Sequence, residues 1–100
     1  MIRHVVLWQL FESADGHDRA ANAVRAKERL LALKDKIPDI RSFEVGVDAL
    51  RSERSYDLCL IATFDSLADL AYYNDHPAHR EVVEFMLKVR EKAISVDFEA

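Results

Sequence analysis

Two segments of this chain, Ile2 to Phe11 and Tyr56 to Phe64, place apolar side chains on both of the faces that a β-strand presents. A strand of that kind has to be covered on both sides, so the sheet that contains it needs a helical layer on one face and a second apolar surface on the other. In the first segment β-branched, aromatic and aliphatic residues are interrupted only by Arg3, His4 and Gln9, and in the second by Asp57 and Thr63. Both read as central strands.

The remaining segments are amphipathic. After Gly16 the residues Ala20, Val24, Leu30, Leu31 and Leu33 recur at helical spacing among charges, with Asp18 near the start and Lys34 and Lys36 near the end, where they complement the helix dipole. The pattern predicts one long helix that ends before Pro38. From Arg41 to Ala49, Phe43, Val45 and Val47 alternate with Ser42, Glu44, Gly46 and Asp48, a period of two that predicts a half-exposed strand. Arg51 to Ser55 form a polar turn. Ser66, with Asp69 three residues on, caps a helix that must stop near Asn74, because Pro77 forces His76 out of helical geometry. A second helical piece starts at Pro77 with Val82, Val83, Met86 and Val89 on one side, and AISVDFEA closes the chain as an alternating strand.

The order is βαββαβ with the second helix broken. It predicts a ferredoxin-like α+β fold: a four-stranded antiparallel sheet, ordered 4-1-3-2, with helices on one face and the other face open. One domain over residues 1–100 is expected. Val5, Leu7, Phe43, Val45, Val47, Val96 and Phe98 are the expected residues of the open face, an apolar surface too large to leave in water. A second copy of the chain covers it most simply, giving a homodimer through the open sheet face.

Composition removes several function classes. Acidic residues outnumber basic ones, 18 to 14, and the basic ones are dispersed, so nucleic acid is not an expected partner. No apolar run approaches membrane-spanning length and the N-terminus does not resemble a signal peptide, so a cytoplasmic location without membrane attachment is expected. Cys59, the single cysteine, reads as a small buried hydrophobe. There is no Gly-rich phosphate loop and no nucleophile elbow, and no pair among His4, His76, His79 and Asp97 has the helical i, i+4 spacing of metal ligands, so neither a cofactor nor a metal is expected.

Chemistry concentrates in Tyr72-Tyr73-Asn74-Asp75-His76-Pro77-Ala78-His79, at the junction of two helices. His79 lies three, four and seven residues before Val82, Val83 and Met86, so helical spacing turns its imidazole toward the core. Tyr73, three residues after Leu70, can tip its hydroxyl into the same region. His4 shares a strand face with Ile2 and Val6. In the 4-1-3-2 order the last strand runs antiparallel beside the first, so Asp97 should meet His4 and fix the tautomer of its imidazole. Tyr72 and His17 are expected at the surface.

The segments IRHVVLW, IPDI, EVGVD, YDLCLIATFDS, YNDHPAHREVV and VDFE together resemble the stress-responsive dimeric α/β-barrel (Dabb) family over nearly the whole chain, with HPAH the most specific element. The resemblance implies a ferredoxin-like monomer and a barrel-like homodimer. By similarity to the plant polyketide cyclases of that family, it also implies His79 and Tyr73 as catalytic residues and His4 and Asp97 as pocket residues. A further histidine of the cyclase pocket has no counterpart here, where Asp57 and Leu58 stand, and this argues for a different substrate.

Three functions follow as alternatives. In the first, a pocket between sheet and helices holds a small apolar or aromatic carbonyl compound while His79 moves a proton and Tyr73 steadies an oxyanion, an aldol cyclase- or lyase-like chemistry. In the second, the same residues knit a polar network in a non-catalytic dimeric stress protein. In the third, cofactor-free oxygenase chemistry uses Trp8 to hold an aromatic ligand. A cavity of roughly 300 Å³ or more favours the first or third over the second.

Overall fold

The computed structural model describes residues 1–100. In chain order the elements are β1 (Ile2–Leu10), β2 (Ser13–Ala14), β3 (His17–Asp18), α1 (Arg19–Leu31), α2 (Leu33–Lys36), β4 (Ser42–Val47), β5 (Leu58–Phe64), α3 (Leu67–Asp75), α4 (Pro77–Val89) and β6 (Arg90–Glu99). The four long strands form one antiparallel sheet in the order β4-β5-β1-β6, which is the expected 4-1-3-2 arrangement read from the other edge. The fold is ferredoxin-like α+β.

Period-two burial fixes the two central strands. Ile2, His4, Val6, Trp8 and Leu10 of β1 face the helices and are buried, as are Leu58, Leu60, Ala62 and Phe64 of β5. Helices α1, α3 and α4 add Ala23, Ala26, Leu30, Leu70, Tyr73, Val82, Phe85, Met86 and Val89 to this layer. The face of α4 turned inward is thus 82, 85, 86 and 89. Val83, expected on it, is 39% exposed, and Phe85 takes its place beneath the guanidinium groups of Arg25 and Arg29.

The open face departs from expectation in one strand. Val5, Leu7, Val96 and Phe98 do lie there, joined by Ile61 and Ile94, as the cross-strand pairs Val5↔Ile61, Val5↔Val96 and Leu7↔Ile94 require. Phe43, Val45 and Val47 do not. They pair with Ala62, Leu60 and Leu58, whose side chains all point at the helices, so the polar stripe Ser42, Glu44 and Gly46 of β4 faces outward instead. Alternation shows that a strand has an apolar side, but only the register against β5 says which way that side turns. The same register places Cys59, between buried Leu58 and Leu60, on the open face and partly exposed, not in the core.

The long helix expected after Gly16 is interrupted at Ala32 and preceded by a small hairpin, β2–β3. Asp15 (φ 52°) and Gly16 (φ 76°) are the two turn residues, the Asp-Gly pair that favours a two-residue hairpin because both positions need positive φ. Buried Asn22 pins the hairpin by donating to the carbonyls of Ala14 and His17. Asp18 then caps α1 by accepting from the Ala21 N–H at 2.8 Å.

Candidate functional site

The break between α3 and α4 comes from Pro77, which occupies the first turn of α4, while His76 has extended geometry before it. Two imidazoles stitch the break. His76 Nδ1 accepts from the Ala78 N–H at 3.0 Å and so serves as the N-cap of α4. His79 Nδ1 lies 3.1 Å from the Asn74 carbonyl oxygen at the end of α3. A carbonyl only accepts, so His79 Nδ1 carries the proton and Nε2 is left as the basic nitrogen. His-Pro-Ala-His is therefore a hinge of two histidines in opposite tautomers, one satisfying a helix start and the other a helix end.

Tyr73 is fully buried, at 0% exposure, in a nest of aromatic rings. Its ring centroid lies 4.4 Å from that of His79, 6.1 Å from His4 and 5.0 Å from Phe64. Its hydroxyl has no hydrogen-bond partner in the protein. Burial pushes that hydroxyl well above its ordinary pKa, so it stays protonated and is available as a donor. His79 moves the other way: burial holds it below the usual histidine value, with His4 and His76 adding to the depression and the Asn74 carbonyl opposing it. At neutral pH its imidazole is the neutral base.

His4 and Asp97 are directly opposed in the β1–β6 register, and His4 Nδ1 pairs with the Asp97 carboxylate. The carboxylate accepts, which leaves His4 Nε2 as the second ring nitrogen facing the aromatic nest.

These residues surround a cavity of about 250 Å³ between the sheet and helices α3 and α4. His4, Trp8, Tyr73 and His79 line it together with Val6, Leu60, Val82 and Met86. Asp97 stands behind His4 and is not part of the wall, so its action on a ligand would run through His4. The volume is below 300 Å³, yet an apolar cavity of about 150 Å³ accommodates benzene, so a single substituted ring fits. Cavities of about 330, 320 and 360 Å³ lie elsewhere, and none is lined by a histidine.

Asn74 and Arg90 also line the cavity, and neither was singled out from the sequence. Arg90 follows Val89 where α4 gives way to β6, and it meets the cavity only because β6 folds back along β1 with a register shift at Gln9/Leu10. Asp57 is a third unexpected feature. This buried carboxylate, 3% exposed, accepts from the Leu10 N–H and from Arg51, each at 2.7 Å. It ties the end of β1 to the loop before β5, away from the cavity.

A ferredoxin-like α+β layer with a histidine- and tyrosine-lined cavity under a broken helix defines a class of small sheet-and-helix proteins. Within that class the chain belongs to the stress responsive A/B barrel domain family, whose model matches residues 2–100. No curated protein matches it. Among solved structures it is similar to a dimeric ferredoxin-like protein of unknown function from Bacteroides fragilis, at 29% identity and TM-score 0.88 over 99% of this chain and 95% of that one. It is also similar to a Dabb family protein from Mesorhizobium loti, at 26% identity and TM-score 0.69 over 99% and 95%. A hydroxynitrile lyase from Passiflora edulis shares the fold at 16% identity and TM-score 0.79 over 97% and 90%.

Proposed function

We propose that the cavity binds a small aromatic or apolar carbonyl compound and promotes proton transfer at the carbon next to that carbonyl, with His79 and Tyr73 as the catalytic pair. The observation that carries this reading is Tyr73, a residue of the cavity wall whose fully buried hydroxyl has no protein partner. Leaving such a group unpaired costs roughly 1–3 kcal/mol, which a ligand oxygen would recover.

His79 Nε2 takes a proton from the carbon α to the carbonyl, and the C–H electron pair becomes the enolate. The Tyr73 O–H donates a hydrogen bond to the enolate oxygen. The enolate carbon then attacks a second carbonyl carbon, and the resulting alkoxide takes the proton back from the His79 imidazolium. The reverse is a retro-aldol cleavage, the lyase direction. His4, held by Asp97, and Trp8 bind and orient the ring. Residues Val5, Leu7, Ile61, Ile94, Val96 and Phe98 make the open sheet face a homodimer interface, and the dimeric relatives support that assembly.

The test is α-proton exchange of acetophenone-type ketones in D₂O, followed by proton NMR, together with ligand-induced shifts in melting temperature. Exchange above background that is lost in His79→Ala and reduced in Tyr73→Phe supports the reading. No exchange and no thermal shift in the wild type moves the function to a non-catalytic dimeric stress protein. That second reading draws on the Asn74–His79 and Ala78–His76 bonds, which give both histidines work as helix caps.

A further inference from the structure

We infer that the ligand of this cavity carries a carboxylate, and that Arg90 recognises it. This specifies the substrate class of the pocket proposed above and rests on that reading. The chain as a whole is acidic, with a formal net charge of -4, yet no Asp or Glu lines the cavity. Arg90 is the one lysine or arginine in its wall. The other ionisable groups there are accounted for: His4 is matched by Asp97, burial keeps His79 neutral, and Tyr73 stays protonated.

Arg90 itself is unmatched. Its side chain forms no salt bridge and no hydrogen bond within the protein, a state it shares with Arg3, Arg29 and Arg54, none of which lines the cavity, whereas Arg19, Arg25, Arg41, Arg51 and Arg80 pair with aspartates. A half-buried arginine in the wall of a largely apolar cavity, with its forked donors unused, suits a planar anion that can accept two parallel bonds. Position supports the same assignment. His79 and Arg90 are eleven residues apart, about three turns of helix, so both come to the cavity side of α4, and the long Arg90 side chain is the one able to reach back toward a single-ring ligand. A ligand spanning the cavity would present its carbonyl to the His79–Tyr73 end and its carboxylate to Arg90, with its ring against Val6, Trp8 and Met86.

The experiment titrates the full chain, by NMR chemical shift or calorimetry, with 4-acetylbenzoate and with its neutral counterpart 4-acetylbenzamide. The expected result is at least tenfold tighter binding of the carboxylate by the wild type, a ratio near one in Arg90→Gln, and partial retention in Arg90→Lys. Equal affinities in the wild type, or a carboxylate preference that survives Arg90→Gln, overturn the assignment to Arg90 and leave the pocket reading standing. Binding of neither compound at millimolar concentration overturns the pocket reading and this inference with it. Retained melting behaviour in Arg90→Gln separates lost recognition from lost folding.

Discussion

Tyr73→Phe removes a single oxygen atom from the aromatic nest formed with His4, Phe43, Phe64 and His79, and it leaves the ring and its edge contacts in place. In most cores this substitution destabilises, because a buried hydroxyl usually has a partner to lose. Here the hydroxyl has no protein partner, so the unliganded protein bears a desolvation cost of roughly 1–3 kcal/mol that phenylalanine does not. Loss of the oxygen's own dispersion contacts offsets a few tenths of a kcal/mol. The net expectation is a gain of about 1 kcal/mol, which raises the melting temperature by roughly 4–8 °C for a domain of this length. The assay is thermal unfolding of both proteins at matched concentration, since an oligomer's melting temperature depends on it. In the same measurement a carbonyl ligand should shift the wild type upward and Tyr73→Phe much less. A fall in melting temperature on Tyr73→Phe would refute the reasoning, because it would mean that the hydroxyl already has a partner in the native state.

The depressed pKa of His79 means that the unfolded chain binds its proton at a higher pH than the folded one does. Its stabilising contribution is therefore present above the unfolded value of about 6.5 and is lost as pH falls through the folded one, and α-proton exchange should fall over the same range. His79→Ala is expected to remove that acid limb, read by pH-dependent melting. Phe98→Asp places a charge on the open face in each of two symmetry-related copies, and at about 1.5–3 kcal/mol per lost apolar side chain it should weaken the dimer by 100-fold or more, seen by size-exclusion light scattering. Asp57→Ala strands the Leu10 N–H and Arg51 and should cost about 2–4 kcal/mol in denaturant unfolding, with Asp57→Asn milder. Gly16→Ala should cost about 1 kcal/mol, because Gly16 holds a positive φ in the hairpin turn.

The amino-acid sequence by itself determined the order of the long elements, the broken helix at Pro77, the doubly apolar central strands and the meeting of His4 with Asp97. These are consequences of local chemistry and of the short list of ways that βαββαβ can close, so periodicity, caps and a proline suffice to find them. The hairpin at Asp15-Gly16 is also legible as an Asp-Gly pair, although the helical periodicity that starts directly after Gly16 is the stronger local signal.

Tertiary structure alone decided what depends on phase and packing between distant segments. An alternating strand can present either side to the core, so the inward turn of Phe43, Val45 and Val47 and the outward turn of Cys59 were set by pairing with β5 and β1. The rotation of α4, which buries Phe85 and exposes Val83, depends on which side of the helix meets α1 and the sheet. Whether Tyr73 finds a partner for its hydroxyl, how large the cavity beside it is, and that Arg90 reaches its wall all depend on atoms brought together from β1, β5, α3, α4 and β6. No local pattern encodes those distances, because each is a residual of packing among elements tens of residues apart in the chain.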